Sequence, residues 1–542
     1  MLRLAVALSA VLAVPVLGIL GSWFTLDEAA WETLSHQWST VMPSYAGQSI
    51  LLAVGVALGV ALIGGVTAAL VSLFSFPLRR FFEWALLLPL AMPAYVLAYA
   101  ATDFLQFSGP LQTAIRANTG IAGPLWPDIR SLWGAVILFT LCLYPYVYLL
   151  TRAALSERAV RLMEAARLLG AGAGRRVREV ALPLARPALA AGVALALMET
   201  LADYGVGAYF GLTTFTTGIY RAWLSMNDRS AAAQLASLLL VVVAALLWLE
   251  RRAQRRLRFS NTRLAASQAS EARPIVLSGG SAVLAVVLCA LPVLAGFVLP
   301  VAVLLGMLFT AADVAGDHGG SAWLDARFLQ WAWTSLRLAA IAAVLAVVAA
   351  LAMAAALRLA ASPRQSRLGR SAVGIVSLGY AVPGAVIAVG ILLPLGWVQA
   401  TWPDIGLPSL VTGTVMGLVY AYLVRFSAVA LQSVEAGYAR IPDSIDETAR
   451  LMGTPRWQVF TRLHLPLLRR SALAAALLVF VDVMKELPAT LVLRPFDSDT
   501  LAVVAYQFAR DERLAEAALP SLAIVAVGLI PVVMLSRSLR RA

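Results

Sequence analysis

Apolar residues run in long blocks along the whole chain, separated by short polar stretches. A helix needs roughly 20 apolar residues to cross a hydrocarbon core. Blocks of that length predict spans near 3–24, 48–75, 84–104, 132–152, 187–206, 231–249, 280–309, 334–360, 372–395, 410–431, 471–493 and 519–536. The pattern therefore predicts an all-α polytopic membrane protein with twelve transmembrane helices in the lipid bilayer. Composition points the same way. Of the 542 residues 61% are hydrophobic and 13% charged, against roughly a quarter charged in soluble domains, too few to cover a water-facing surface.

The net charge of +13 raises the question of nucleic acid, and the placement of the arginines answers it. Arg79 and Arg80 follow the second expected span, Arg158, Arg161, Arg167, Arg175, Arg176 and Arg178 the fourth, and Arg251, Arg252, Arg255, Arg256 and Arg258 the sixth. Arg364, Arg367 and Arg370, then Arg450, Arg456, Arg462, Arg469 and Arg470, then Arg537, Arg540 and Arg541 repeat the rhythm, while 25–47 and 396–409 contain no Lys or Arg. By the positive-inside rule the basic loops and both termini are cytoplasmic, so the charge orients the protein and no nucleic-acid partner is expected. The first apolar run exceeds the roughly 7–15 residues of a signal-peptide core and is read as a retained helix. Cys142 and Cys289 fall within spans, as small apolar residues rather than a disulfide.

One polar phrase occurs twice. Glu164-Ala165-Ala166, Gly170 and Leu182-Pro183 recur as Glu447-Thr448-Ala449, Gly453 and Leu465-Pro466, all displaced by 283 positions. Each copy lies between the fourth and fifth spans of a six-span set. The expected organisation is a first half at 1–250 with its loop at about 153–186, a cytoplasmic linker at 251–275 beginning as an extension of span six, and a second half at 276–542 with its loop at about 433–470. Even-numbered halves have the same membrane orientation. Within each loop the residues predict helix, glycine turn, short helix, then a proline ending that helix before the next span. In the second copy, Pro442 precedes a capping box formed by Ser444 and Glu447, and Thr454 and Pro455 stand at the N-cap and first position of the short helix.

Together these residues resemble the cytoplasmic loop signature of binding-protein-dependent ABC importer permeases, with Thr448 and Val180 as departures. The resemblance implies two tandem six-helix bundles of the type I ABC importer permease class. It also implies that Glu164, Ala165, Ala166, Gly170 and Pro183, and Glu447, Thr448, Ala449, Gly453 and Pro466, dock into grooves on two ATP-binding cassette subunits, and that a periplasmic substrate-binding protein delivers the cargo. The implied location is the bacterial inner membrane. The chain has no G-x-x-x-x-G-K-[S/T] loop, and Gly170-Ala-Gly172-Ala-Gly174 runs into Arg175 without the required Lys. It is therefore expected to be no enzyme and to bind no cofactor, with ATP and magnesium on the partner subunits. The stretches 199–205, 214–223, 482–490 and 494–502 resemble fused ferric-iron permeases, which implies ferric iron as cargo, with thiamine, polyamine or sulfate/molybdate as alternatives. An ion-coupled secondary transporter also has two six-span halves. Its commonest form has a Gly- and Asp/Arg-rich loop after span two, unlike Phe76-Pro-Leu-Arg-Arg80.

The same displacement lays Glu199 over Asp482 and Asp203 over Glu486, an acidic i,i+4 pair in spans five and eleven. Intramembrane carboxylates usually face a cavity or a partner, and hard cations prefer oxygen ligands, so a pathway or gate role is one reading. The other is structural, with Lys485, the only lysine, neutralising an acid nearby. Which metal, if any, these residues hold is left open. His36, His318 and His464 lack metal-ligand spacing. Trp31, Trp38, Trp126, Trp323, Trp331 and Trp402 sit near span ends as interfacial anchors do, and Pro93 and Pro383 are expected to kink spans three and nine.

Overall fold

The computed structural model describes residues 2–24, 28–155, 160–261, 275–316, 326–360 and 363–541. His318, Trp323, Arg158 and the linker residues 262–274 lie outside this set. Among the described residues, ten helices are long and apolar enough to cross a membrane, or eleven if Arg79–Ala91 and Ala94–Thr119, bent by 92°, count as one span. The remaining expected span coincides with the helix Leu465–Met484, which carries Arg469, Arg470 and Asp482 within its 20 residues. Pro93 and Pro383 do more than kink. Each follows a 3-10 turn, Leu88–Ala91 or Gly379–Ala381, and each is the N-cap of a new helix, with φ and ψ of −61° and 142° or −59° and 144°. Proline has no N–H to continue a ladder and disfavours helix in the residue before it, so both spans break and restart.

The chain packs as two compact units, each drawn from both sequence halves. The N-side unit comprises Ser39–Thr217, Val241–Trp323 and Ala505–Ala542, and the C-side unit Met1–Trp38, Gly218–Leu240 and Leu324–Val504. The packed units are not delimited at positions 250 and 276. In the N-side unit the helices Met42–Leu73, Leu132–Ala154 and Leu182–Ala202 pack together. Two glycines permit their close approach. A Cβ on Gly64 would stand 2.7 Å from the Tyr144 carbonyl oxygen, and one on Gly192 2.6 Å from the Cα of Val147. Leu299–Gly316 lies against Leu514–Arg541 and Ala94–Leu105 in the same unit.

In the C-side unit the corresponding trio is Ala326–Arg358, Met416–Tyr438 and Leu465–Met484, and Leu2–Gly21 packs on Gly384–Thr401 and Pro363–Val376. The opening span of each sequence half therefore packs with helices of the other half. A helix apolar all round needs burial in protein or lipid, but its periodicity does not name the neighbour. Span six continues as one helix, Arg229–Asn261, past position 250. Beyond it Ile275–Val276 pairs in parallel with Phe74–Ser75 in the N-side unit. Cys142 and Cys289 are buried and not joined in a disulfide.

Candidate functional site

The doubled phrase folds into the same turn twice. In the N-side unit the helix Val160–Leu168 ends at Gly170, whose φ is 81°, and in the C-side unit Asp443–Leu451 ends at Gly453, whose φ is 70°. The Ala171 N–H donates to the Ala166 carbonyl and the Gly170 N–H to that of Arg167, each at 2.9 Å. Thr454 to Ala449 and Gly453 to Arg450 repeat these bonds at 3.0 Å. This is the Schellman closure, which needs a left-handed residue after the helix, and glycine adopts that conformation without a Cβ penalty. Thr448 fits in place of alanine because its hydroxyl donates back to the Ser444 carbonyl at 2.8 Å. The two residues before each glycine project outward: Leu168 and Leu169 are 79% and 88% exposed, Leu451 and Met452 89% and 78%. These four apolar side chains stand bared on otherwise polar loops. Glu164 is half-buried and bonds Arg167 at 2.7 Å, while Glu447 is exposed.

Three local expectations are corrected. Pro183 and Pro466 do not end the short helices. Gly174–Ala202 runs as one 29-residue helix, and Arg456–Gln458, the π-helical Val459–His464 and Leu465–Met484 follow without a gap. Proline crowds the carbonyl one turn earlier and offers no N–H, and a wide π turn directly ahead of it, also present at Val177–Ala181, absorbs both defects. The turn thus joins directly to the span behind it. The Ser444 and Glu447 capping box does not form: the helix begins at Asp443 with Pro442 as its N-cap and no side-chain cap bond. Asp443 and Asp446 in its first turn instead place negative charge at the positive helix end. Pro455, not Thr454, caps Arg456–Gln458.

Each turn is tied to its unit by different chemistry. In the N-side unit Leu155, Met163, Ala181, Ala185 and Leu73 form an apolar cluster, with Val177, Val180, Leu184 and Ile275 packed against it. In the C-side unit Tyr438, Asp446 and His464 occupy the positions 283 residues on from Leu155, Met163 and Ala181. There the His464 Nε2 lies 2.6 Å from Asp446 Oδ1, and the Tyr438 hydroxyl 3.2 Å from His464 Nδ1. Arg358, at the end of its span, reaches Asp446 Oδ2 through Nε at 2.6 Å and Asp443 through Nη1 at 2.7 Å, and Nη2 donates to the Ile441 carbonyl at 3.0 Å. Burial alone would raise the Asp446 carboxyl, but the hydrogen bonds from His464 and Arg358 outweigh it and hold it below the usual carboxylate range. A smaller apolar patch of Leu359, Ala449 and Val459 lies beside this network. Sequence spacing marks neither His464 nor Arg358 as part of a network; the available signal is an arginine closing an apolar span 88 residues from its partner Asp446.

The four acids lie in different units and do different local work. Asp203 follows the end of the Leu182–Ala202 helix and Glu486 follows Leu465–Met484, so neither is in the span itself. Asp203 Oδ1 accepts from the Val206 N–H at 2.8 Å. Glu486 accepts from the equivalent Ala489 N–H at 2.9 Å, from the Thr490 N–H at 3.0 Å and from the Thr490 hydroxyl at 2.6 Å. Each acid starts the short helix behind it, Gly205–Tyr209 or Pro488–Leu493. Glu486 is buried and receives Arg425 Nη1 at 3.3 Å. That arginine, within the Met416–Tyr438 span, went unremarked in the sequence although a lone charge in an apolar run is itself a signal. Cys142 holds its place in the N-side unit and donates its thiol to the Met92 carbonyl at 3.0 Å. Asp482 pairs with Lys485 at 2.9 Å, the neutralisation expected of the only lysine, and Glu199 is half-buried on the last turn of its helix. Among the described residues no group of three His, Cys, Asp or Glu is arranged to hold a metal ion.

Comparison with known proteins matches this architecture twice within the chain. The model of the family described as "Binding-protein-dependent transport system inner membrane component" matches residues 61–259 and 351–542. An Fe(3+)-transport system permease protein of Haemophilus influenzae is 25% identical over 502 residues, covering 92% of this chain and 90% of the relative. A putative ferric transport system permease protein of the same organism is 22% identical over 430 residues, 76% of this chain and 64% of the relative. The molybdenum transport system permease protein of Escherichia coli is 29% identical over 209 residues, 34% of this chain and 89% of the relative. The chain is a multi-pass membrane protein that belongs to the family of binding-protein-dependent transport system inner membrane components.

Proposed function

We propose that the chain is the fused permease subunit of an ATP-driven importer that moves ferric iron from a periplasmic binding protein into the cytoplasm. The observation that carries this reading is the doubled turn: two Schellman-closed elements, each bearing an exposed apolar pair and each continuous with the transmembrane helix behind it. A partner that seats on Leu168 and Leu169, or on Leu451 and Met452, moves that helix directly. Two such elements fit two separate ATP-binding subunits, with Glu164 and Glu447 facing basic residues in their grooves. ATP and magnesium then reside on those subunits, and the chain has neither an ATPase site nor a cofactor of its own. ATP binding closes the pair and draws the two elements together, opening the pathway outward; hydrolysis reverses the motion and releases the cargo inward. The arginine distribution supports placing both termini in the cytoplasm.

Iron as cargo is supported by the ferric-transport relatives, whose alignments cover most of this chain. The test is transport by vesicles reconstituted with the chain, its ATP-binding subunits and its binding protein, supplied with ferric iron, molybdate, thiamine or a polyamine. ATP-dependent uptake of iron alone is expected. Uptake of another cargo refutes the substrate, and flux without ATP-binding subunits refutes the importer mechanism in favour of ion-coupled transport.

A further inference from the structure

Just ahead of span seven, Gly280–Phe309, a two-residue strand lies against the support of the first turn. Ile275–Val276 runs parallel to Phe74–Ser75, the continuation of the Met42–Leu73 span, with Ile275 opposite Phe74 and Val276 opposite Ser75. The Leu277 N–H donates to the Ser75 carbonyl at 2.9 Å. Successive side chains of a strand face opposite ways, and these two divide accordingly. Val276 is 77% exposed, whereas Ile275 is half-buried and packs on the cluster of Leu73, Leu155, Met163 and Ala181. Met163 precedes the Gly170 turn and Ala181 follows it, so Ile275 touches the body that carries the turn. So short a strand makes few hydrogen bonds, each of small net worth, which leaves the Ile275 side chain as its principal hold.

The strand leads directly into the membrane. Gly279, with φ of 58°, makes the corner that a residue without a Cβ takes freely, and its carbonyl accepts from the Ala282 N–H at 3.1 Å as the helix begins. Gly280–Val293 then packs on Met42–Leu73 and Arg79–Ala85 in the same unit. In the C-side unit the position equivalent to Ser75 is Arg358, the residue that reaches Asp446, Asp443 and the Ile441 carbonyl. At one place in the repeat, the second turn is tied by a side chain of its own span and the first by a backbone strand from further along the chain.

We infer that Ile275–Leu277 is a strap that positions the first turn and ties its movement to span seven. This rests on the proposed importer mechanism, in which a partner seated on Leu168 and Leu169 moves the turn. Movement reaches span five through the continuous helix behind Gly170. It reaches span seven because Met163 and Ala181 carry Ile275 with them. The second turn is tied through Arg358 to the Ala326–Arg358 span instead, so the two turns drive different sets of helices.

The test uses the full chain in vesicles with its ATP-binding subunits and binding protein, and reads amide exchange and iron carried per ATP hydrolysed. Ile275→Asp puts a carboxylate into the apolar cluster. It is expected to speed exchange over 160–181 and 275–283 about tenfold or more, to leave 441–464 unchanged and to lower iron carried per ATP severalfold. Ile275→Val keeps most of the contact and is expected to restore both readings. A second handle is Ser75→Cys/Val276→Cys. Paired strands lie about 4.8 Å apart, within the range of about 4.4–6.8 Å between Cα atoms that a disulfide bridges. Oxidation is expected to cross-link this pair, against either single variant as control, and to leave transport running, because the strap stays paired while the turn moves. Wild-type exchange and coupling in Ile275→Asp, faster exchange with coupling unchanged, no cross-link, or a cross-linked chain whose complex hydrolyses ATP without moving iron each overturns the strap. The exchange contrast in a complex whose wild type takes up no iron supports the strap and refutes the proposed transport.

Discussion

The two repeated turns look outward alike and inward differently. Toward solvent both present a glycine of positive φ, the same pair of closing hydrogen bonds and two bared apolar side chains. Toward their own units one rests on Leu155, Met163 and Ala181, and the other on Tyr438, Asp446 and His464, locked by Arg358. The outward form is the same in both copies, whereas what holds the turn in place has two solutions. A similar division recurs deeper, with Cys142 in one unit and the Arg425–Glu486 pair in the other. The apolar solution tolerates substitutions of matched volume. The ionic one is fragile to single changes because any lost partner leaves a buried charge.

The contrast breaks most visibly at Asp446. Asp446→Met leaves Arg358 and His464 without their shared carboxylate and is expected to cost about 3–5 kcal/mol, read as thermal destabilisation and loss of amide protection over 441–464. Copying the whole apolar solution, with Tyr438→Leu, Asp446→Met, His464→Ala and Arg358→Leu together, should restore most of that loss, because an ion pair replaced entirely by apolar groups is often neutral. A quadruple variant no better than the single would deny that the two anchors are equivalent solutions. In the first element Met163→Ala opens a cavity and is expected to cost about 2–3 kcal/mol, loosening 160–181 while leaving 441–464 unchanged.

The shared outward features should respond equally. Gly170→Ala and Gly453→Ala each force a Cβ into the left-handed region and are expected to cost about 1–2 kcal/mol, with the same figure in both copies; a twofold disparity would show that only one turn needs that geometry. Acid should separate the copies again. The folded pKa of Asp446 lies below its unfolded value of about 3.9, so its stabilisation is fully present above that value and fades as pH falls through the lower folded pKa. Hydrogen exchange is expected to show 441–464 losing protection at acid pH before 160–181, whose anchoring cluster contains no carboxylate. The smallest effect is expected from Leu168→Ser or Leu451→Ser, which should change the permease's own stability by under about 0.5 kcal/mol yet weaken retention of the ATP-binding subunits.

The repeat, its offset and the glycine stops were legible because they are local and because duplication printed them twice. Pro93 and Pro383 were legible as interruptions, though periodicity could not say that they restart helices rather than bend them. Two kinds of fact were hidden. The pairing of Leu2–Gly21 with Gly384–Thr401, like that of Leu299–Gly316 with Leu514–Arg541, depends on helix surfaces that are apolar all round. The Arg358–Asp446–His464 network joins three separate segments, and no spacing rule links them. The continuity through Pro183 and Pro466 is not legible in the sequence, because a proline ordinarily marks a boundary and the π turn that accommodates it has no simple sequence mark. The acids are marked by their offset, while Arg425, beside one of them, has no such mark beyond being a charge in an apolar run.

The central claim is that each turn holds one ATP-binding subunit. Its most direct measurement is the number of those subunits that co-purify, by native mass, with the wild type, with Leu168→Ser/Leu169→Ser, with Leu451→Ser/Met452→Ser, and with all four substitutions. Two are expected on the wild type, fewer on either pair variant, and none on the combination, with every variant still folded in the membrane. Two subunits retained by the fourfold variant, or cargo flux in a preparation holding none, would contradict it.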